Sequence, residues 1–197
     1  GSGAKILNLE FQNVDFPIFA SQKGAVIADV TVEGCTIHNA IQGITMWHAD
    51  NWEVRDNIIT DLEAINGGGI GILVGSYSGD DAYENTIEGN VITGTVYGDQ
   101  DDNGGYNASG ILLCADYRGA NTGGQVEGNL VSRNRIALVS DSPDVVPVFA
   151  VELQDTRGNT RRLSVVENQV TENDMNDTYD QLLMSPGRLD NPTNEVQ

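Results

Sequence analysis

Val54-Arg-Asp-Asn57-Ile-Ile59 and Ile87-Glu-Gly-Asn90-Val-Ile92 follow one pattern: an apolar residue, two polar or turn-forming residues, an asparagine, one further residue and a second apolar residue. With the fourth position variable, the same frame fits Phe11-Gln-Asn-Val14-Asp-Phe16, Val32-Glu-Gly-Cys35-Thr-Ile37, Val126-Glu-Gly-Asn129-Leu-Val131 and Val165-Val-Glu-Asn168-Gln-Val170. Repetition of this kind decides architecture, because a unit so short can bury its apolar face only against its neighbours. Aligned on the fourth position, the copies stand 21, 22, 33, 39 and 39 residues apart. The first two intervals read as one bare turn of a stack, and the later ones as that turn with inserted loops.

A second repeated strand precedes the asparagine: Gly43-Ile-Thr-Met-Trp47, Gly71-Ile-Leu-Val-Gly75, Gly110-Ile-Leu-Leu-Cys114 and Ala150-Val-Glu-Leu-Gln154. Period-two alternation places Ile44, Met46, Ile72, Val74, Ile111, Leu113, Val151 and Leu153 inside. Thr45, Trp47, Leu73, Gly75, Leu112, Cys114, Glu152 and Gln154 then face outward, and the leading glycines are expected to turn the backbone into each strand.

This arrangement resembles the right-handed parallel β-helix, the pectate-lyase-like superfamily with its Val-x-x-Asn-x-Ile coils. The resemblance implies an all-β solenoid of about six coils, with loop insertions in the later coils and an irregular C-terminal segment. It also implies a ladder of stacked side-chain amides at Asn57, Asn90, Asn129 and Asn168, each supplying the donor and acceptor that a buried neighbour needs. Val14 and Cys35 would begin that column without an amide. Residues 1–3 read as a cloning remnant, 4–175 as the stack, and 176–197, with Pro186 and Pro192, as a cap or tail.

Composition bounds the partners. A formal charge of -19, from 29 acidic and 10 basic side chains, repels nucleic-acid backbones and anionic bilayers. No apolar run is long enough to span a membrane. Two cysteines make no disulfide framework or zinc site, and Cys35 reads as a small buried core residue.

Chemistry is expected in the insertions, since loops on a rigid scaffold carry most binding and catalytic groups. Asp99-x-Asp101-x-Asn103-Gly104 matches the opening of a calcium loop, although Gly110 stands where the full pattern has a bidentate Glu. At the ends of the repeated strand, Trp47, Asp50, Tyr77, Tyr117 and Glu152 are candidates for binding a sugar chain. His48, Asp116, Arg118, Asp155 and Arg157 are candidates for acid, base and charge-neutralising roles. His48 is the natural general base by its unperturbed pKa. The resemblance thus implies an extracellular, carbohydrate-interacting protein, acting as a lyase, hydrolase or epimerase through a loop-lined groove. The competing expectation is a non-catalytic structural or adhesive module whose loops meet a glycan or a surface protein. The family's catalytic signatures do not occur: Asn-Thr-Asp, Gly-His-Gly and Arg-Ile-Lys of polygalacturonases, Asp-Pro-His-Asp of alginate epimerases, and Asn-Gly-Gly-Glu of chondroitinase-B-type lyases. No functional residue is therefore carried over from them.

Overall fold

The computed structural model describes the chain except residues 22, 24, 78–79, 99–105, 117–123, 156–164, 179 and 185–193, and the side chains of 155 and 180–184. The chain winds through short strands. The first coil contains β1 (Lys5–Leu7), β2 (Glu10–Gln12), β3 (Ile18–Ala20) and β4 (Ile27–Ala28). The second contains β5 (Thr31–Glu33), β6 (Thr36–Ala40), β7 (Gln42–Trp47) and β8 (Ala49–Asp50). The third contains β9 (Glu53–Arg55), β10 (Ile58–Ala64), β11 (Ile70–Tyr77) and β12 (Ala82–Tyr83). The fourth contains β13 (Thr86–Glu88), β14 (Val91–Gly98), β15 (Ala108–Asp116) and β16 (Val126–Glu127). The fifth contains β17 (Leu130–Ser132), β18 (Arg135–Ser140), β19 (Val148–Asp155) and β20 (Val165–Val166). A sixth coil supplies β21 (Gln169–Thr171) and β22 (Asp180–Met184), and β23 (Glu195–Val196) adds one more strand.

Equivalent strands of successive coils pair in parallel and form four sheets. The first has the order β1-β5-β9-β13-β17-β21-β23 and the second β18-β14-β10-β6-β2. The third runs β22-β19-β15-β11-β7-β3 and the fourth β20-β16-β12-β8-β4. Register keeps like on like. Val32, Val54, Ile87, Val131 and Val170 stack in the first sheet, and Phe11, Ile37, Ile59, Ile92 and Ile136 in the second. Ile18, Ile44, Ile72, Ile111 and Val151 do the same in the third. Together these columns fill one continuous core, and full burial of each such side chain is worth about 1.5–3 kcal/mol.

The corners explain the sequence pattern and correct its alignment. Asn57 donates its backbone N–H and its Nδ2 to Asn90 Oδ1, and Nδ2 also reaches the Val32 carbonyl. Asn90 repeats this toward Asn134, and Asn134 toward Asn173. Cys35 heads the column: its N–H donates to Asn57 Oδ1, and its thiol lies 3.6 Å from the Ile6 carbonyl. Asn129 and Asn168 are not in this column. They belong to a second ladder, Asn85–Asn129–Asn168–Asn194, at the corner between the fourth and first sheets, which Trp52 heads through its backbone N–H. Val14 lies in neither ladder and is exposed.

Among the described residues, the one before a ladder position, or before its equivalent in an earlier coil, adopts the left-handed conformation. Asn8, Gly34, Asp56, Gly89, Arg133 and Glu172 do so at one corner, and Asp29, Asn51, Glu84, Gly128 and Glu167 at the other. That requirement puts Gly, Asn and Asp at most of these sites.

Gly43, Gly71 and Gly110 serve a different purpose from the expected turn. None has a positive φ. A Cβ on Gly43, Gly71 or Gly110 would meet the carbonyl of Gly71, Gly110 or Ala150 at 2.7, 2.6 and 2.7 Å, and would press on Ile59, Ile92 or Ile136 of the second sheet. The next coil's carbonyl within the third sheet, together with the isoleucine of the second sheet packed against it, is what excludes a side chain.

Both ends of the described chain pair with the stack. Ser2 Oγ accepts a hydrogen bond from Ala28 N, so residues 1–3 lie along β4. In the C-terminal segment β22 and β23 pair with β19 and β21, and Asn194 extends the second ladder.

Candidate functional site

The outer face of the third sheet carries two rows set by register. Phe19, Thr45, Leu73, Leu112 and Glu152 align across the strands, as do Trp47, Gly75, Cys114 and Gln154. Trp47, Ile70, Leu73, Leu112 and Cys114 pack into an apolar cluster separate from the core, with Tyr77 against it. Strict alternation from Ile72 would bury Ile70 in the core, but it joins this outer cluster instead. The Trp47 indole lies across Gly75, where an added Cβ would fall 2.4 Å from the ring. Its edge meets Tyr77, with centroids 6.2 Å apart and planes at 75°.

Above this floor is a cleft of about 300 Å³, the lower end of the size usual for small-molecule sites. Its other lining residues are Phe16, Phe19, Gln42, Asn66, Gly67, Tyr106, Asp116 and Gln154. Phe16 and Phe19 pack edge to face with centroids 5.5 Å apart, and both stay exposed, at 43% and 51%. Tyr106 is 37% exposed, and its ring would be the nearest neighbour, at 3.3 Å, of a Cβ on Gly67. The lining spans five adjacent strands from β3 to β19, about 19 Å at the usual strand spacing.

Glu152 lies at the C-terminal end of this face and is 2% exposed. Its Oε2 accepts from Ser109 Oγ at 2.6 Å, and its Oε1 accepts from Asn107 Nδ2 at 3.2 Å and Gln154 Nε2 at 3.3 Å. Burial pushes its carboxyl above the usual glutamate range, against the opposite pull of the Ser109 and Asn107 hydrogen bonds.

Of the residues expected to bind or react, Trp47 and Asp116 line the cleft and Tyr77 buttresses it. Glu152 is buried and reaches the cleft through Gln154. His48 is elsewhere: it is 1% exposed at the corner after β7, has φ +54, and places Nδ1 3.3 Å from the Asp80 carbonyl. Asp50 has turned that corner onto the fourth sheet, where it lines an acidic groove with Tyr83, Glu84, Glu127 and Glu167. Tyr117, Arg118, Arg157 and the calcium-loop residues Asp99, Asp101 and Asn103 lie outside the described residues, as does the side chain of Asp155.

Sequence reasoning missed Phe16, Phe19, Gln42, Asn66 and Tyr106. The available signal was Pro17-Ile-Phe-Ala20, an undecorated first copy of the repeated strand. Extending the row of Thr45 and Leu73 back by one coil would have reached Phe19. Cys35 and Cys114 are both buried and are not joined to each other.

Four parallel sheets wound around one core, with amide ladders at two corners, define a parallel β-helix. The chain belongs to the family described as right handed beta helix region, which it matches over residues 1–181. Comparison with curated proteins and with solved structures gave no match.

Proposed function

We propose that this chain binds a neutral polysaccharide in the cleft on its third sheet. The observation that carries the reading is the pairing of exposed rings with side-chain amides over an apolar floor: Phe16, Phe19 and Tyr106 beside Asn66 and the hydrogen-bonded Gln42 and Gln154. The C–H faces of a sugar ring suit aromatic surfaces, and its hydroxyls both donate and accept, as amides do. Among the described lining residues the only charge is Asp116, on a chain of net charge -19. That field disfavours a polyuronate and leaves a neutral chain as the better fit. Binding without cleavage is the reading with the fewest requirements. Hydrolysis or elimination needs an acid and a base in one site, and His48 is committed to the Asp80 carbonyl outside the cleft.

The experiment is calorimetric titration with soluble β-glucan, mannan, xylan and polygalacturonate, followed by assay for new reducing or unsaturated ends. A neutral polymer is expected to bind and to remain intact. Binding of polygalacturonate alone, or new chain ends that disappear in Asp116→Asn, would contradict the reading.

A further inference from the structure

Gln154 is held at both ends of its amide. Its Nε2 donates to Glu152 Oε1 at 3.3 Å, and its Oε1 accepts from Cys114 Sγ at 3.2 Å. Glu152 is itself fixed by Ser109 and Asn107. A primary amide has two N–H donors and two acceptor lone pairs. These contacts use one of each and decide which way the amide points. Among the described residues nothing else takes the remaining N–H and lone pair of this half-buried side chain, which lines the cleft.

Resting on the glycan-binding reading, we propose that Gln154 is a specificity-determining residue that reads a vicinal diol, one hydroxyl donating to its Oε1 and the neighbouring hydroxyl accepting from its Nε2. In a β-1,4-linked chain the free vicinal pair is the 2- and 3-hydroxyl of each ring, so a chain with both is the substrate class selected. Glu152 and Cys114 act as positioning residues. By fixing the amide before binding they spare the ordering of a glutamine side chain, which otherwise opposes association. Gln42 is held in a related way, with Thr45 Oγ1 donating to its Oε1 at 2.9 Å, and supplies a second oriented amide at the other end of the cleft.

The test is calorimetric titration of cellotetraose, mannotetraose and xylotetraose, and of their 2-deoxy counterparts, into the wild type and Gln154→Ala, with melting curves to confirm that both are folded. At least one parent sugar is expected to bind the wild type, and to lose about tenfold in affinity either on 2-deoxygenation or in Gln154→Ala, as for one good hydrogen-bonding group. The two losses should not add: Gln154→Ala should bind parent and 2-deoxy sugar equally. Cys114→Ala should weaken binding about threefold, and Cys114→Ser, which keeps a donor to Oε1, should restore it. If Gln154→Ala still discriminates between parent and 2-deoxy sugar as the wild type does, the role of Gln154 is overturned while glycan binding stands. If no parent sugar binds the wild type, the glycan-binding reading falls and this inference with it.

Discussion

The amide of Asn57 and the amide of Asn90 share one carbonyl oxygen: Asn90 Oδ1 accepts both the backbone N–H and the Nδ2 of Asn57, at 3.1 and 2.9 Å. Both residues are fully buried, so neither donor has water as an alternative. Asn90→Leu removes the shared acceptor and leaves two buried donors facing a methyl group. It is expected to destabilise the fold by about 2–4 kcal/mol, measured as a lower urea midpoint with an unchanged slope.

Cys35 occupies the first rung of the same ladder with its thiol near the Ile6 carbonyl, the place where Asn57 Nδ2 meets Val32 O. Cys35→Asn should therefore extend the column and raise stability by about 0.5–1.5 kcal/mol, the usual net worth of a hydrogen bond. A lower melting temperature for this variant would show that the column does not accept an amide at its head.

Two glycines separate steric from conformational demands. At Gly71 the backbone is ordinary and space is absent, so Gly71→Ala should cost about 1–3 kcal/mol through overpacking against Gly110 O and Ile92. At Gly128 space is open, the nearest atom to an added Cβ being 3.8 Å away, but φ is +66. Gly128→Ala should cost about 1–2 kcal/mol through the left-handed backbone alone. Denaturant melts of each variant combined with Ile92→Ala distinguish the two: loss of Cγ2 and Cδ1 should soften the first loss and leave the second unchanged.

The buried Glu152 carboxyl gives a defined pH dependence. Its folded pKa is raised, so between the unfolded and folded values the native state holds a proton that the unfolded state has released. Unfolding then releases a proton, and stability falls as pH rises through that window, which opens near the ordinary glutamate value of about 4.3. Below the window the group contributes no penalty, and above the folded pKa the penalty is complete. Glu152→Gln should therefore gain on the wild type as pH climbs from about 4 to 7, measured as the difference in urea midpoints across that range. A constant difference would mean that Glu152 titrates alike in both states.

How much of this was legible in the sequence follows from what each position must satisfy. The stacked fold was readable because every coil repeats the same inward apolar residues in the same register. The ladder was readable as a device but was misassigned by one corner. Both corners demand an inward apolar residue, a left-handed residue, an asparagine and a second inward apolar residue, so Val126-Glu-Gly-Asn129 imitates Ile87-Glu-Gly-Asn90 while stacking on Asn85. The true successor of Asn90 is Asn134 in Val131-Ser-Arg-Asn134, whose left-handed position holds an arginine. Trp47, Asp116 and Gln154 were legible on the outer face because strand alternation is local. Phe16 and Tyr106 were not, because the winding of the chain brings a first-coil corner and a fourth-coil loop to one cleft. Asp50 was assigned to the wrong face because the chain turns at His48, a non-glycine residue in the left-handed region that no turn motif announced.

The most direct test of the cleft as a glycan site uses Trp47 as a reporter in a Trp52→Phe background, where it is the only indole. Cellotetraose, mannotetraose and xylotetraose are titrated while its emission is followed. At least one sugar should produce a saturable change, and the Phe19→Ala/Tyr106→Ala double variant should weaken that sugar's affinity by about tenfold or more while melting like its parent. No change with any of the three at millimolar concentration, or a response undiminished by the loss of both rings, would contradict the account.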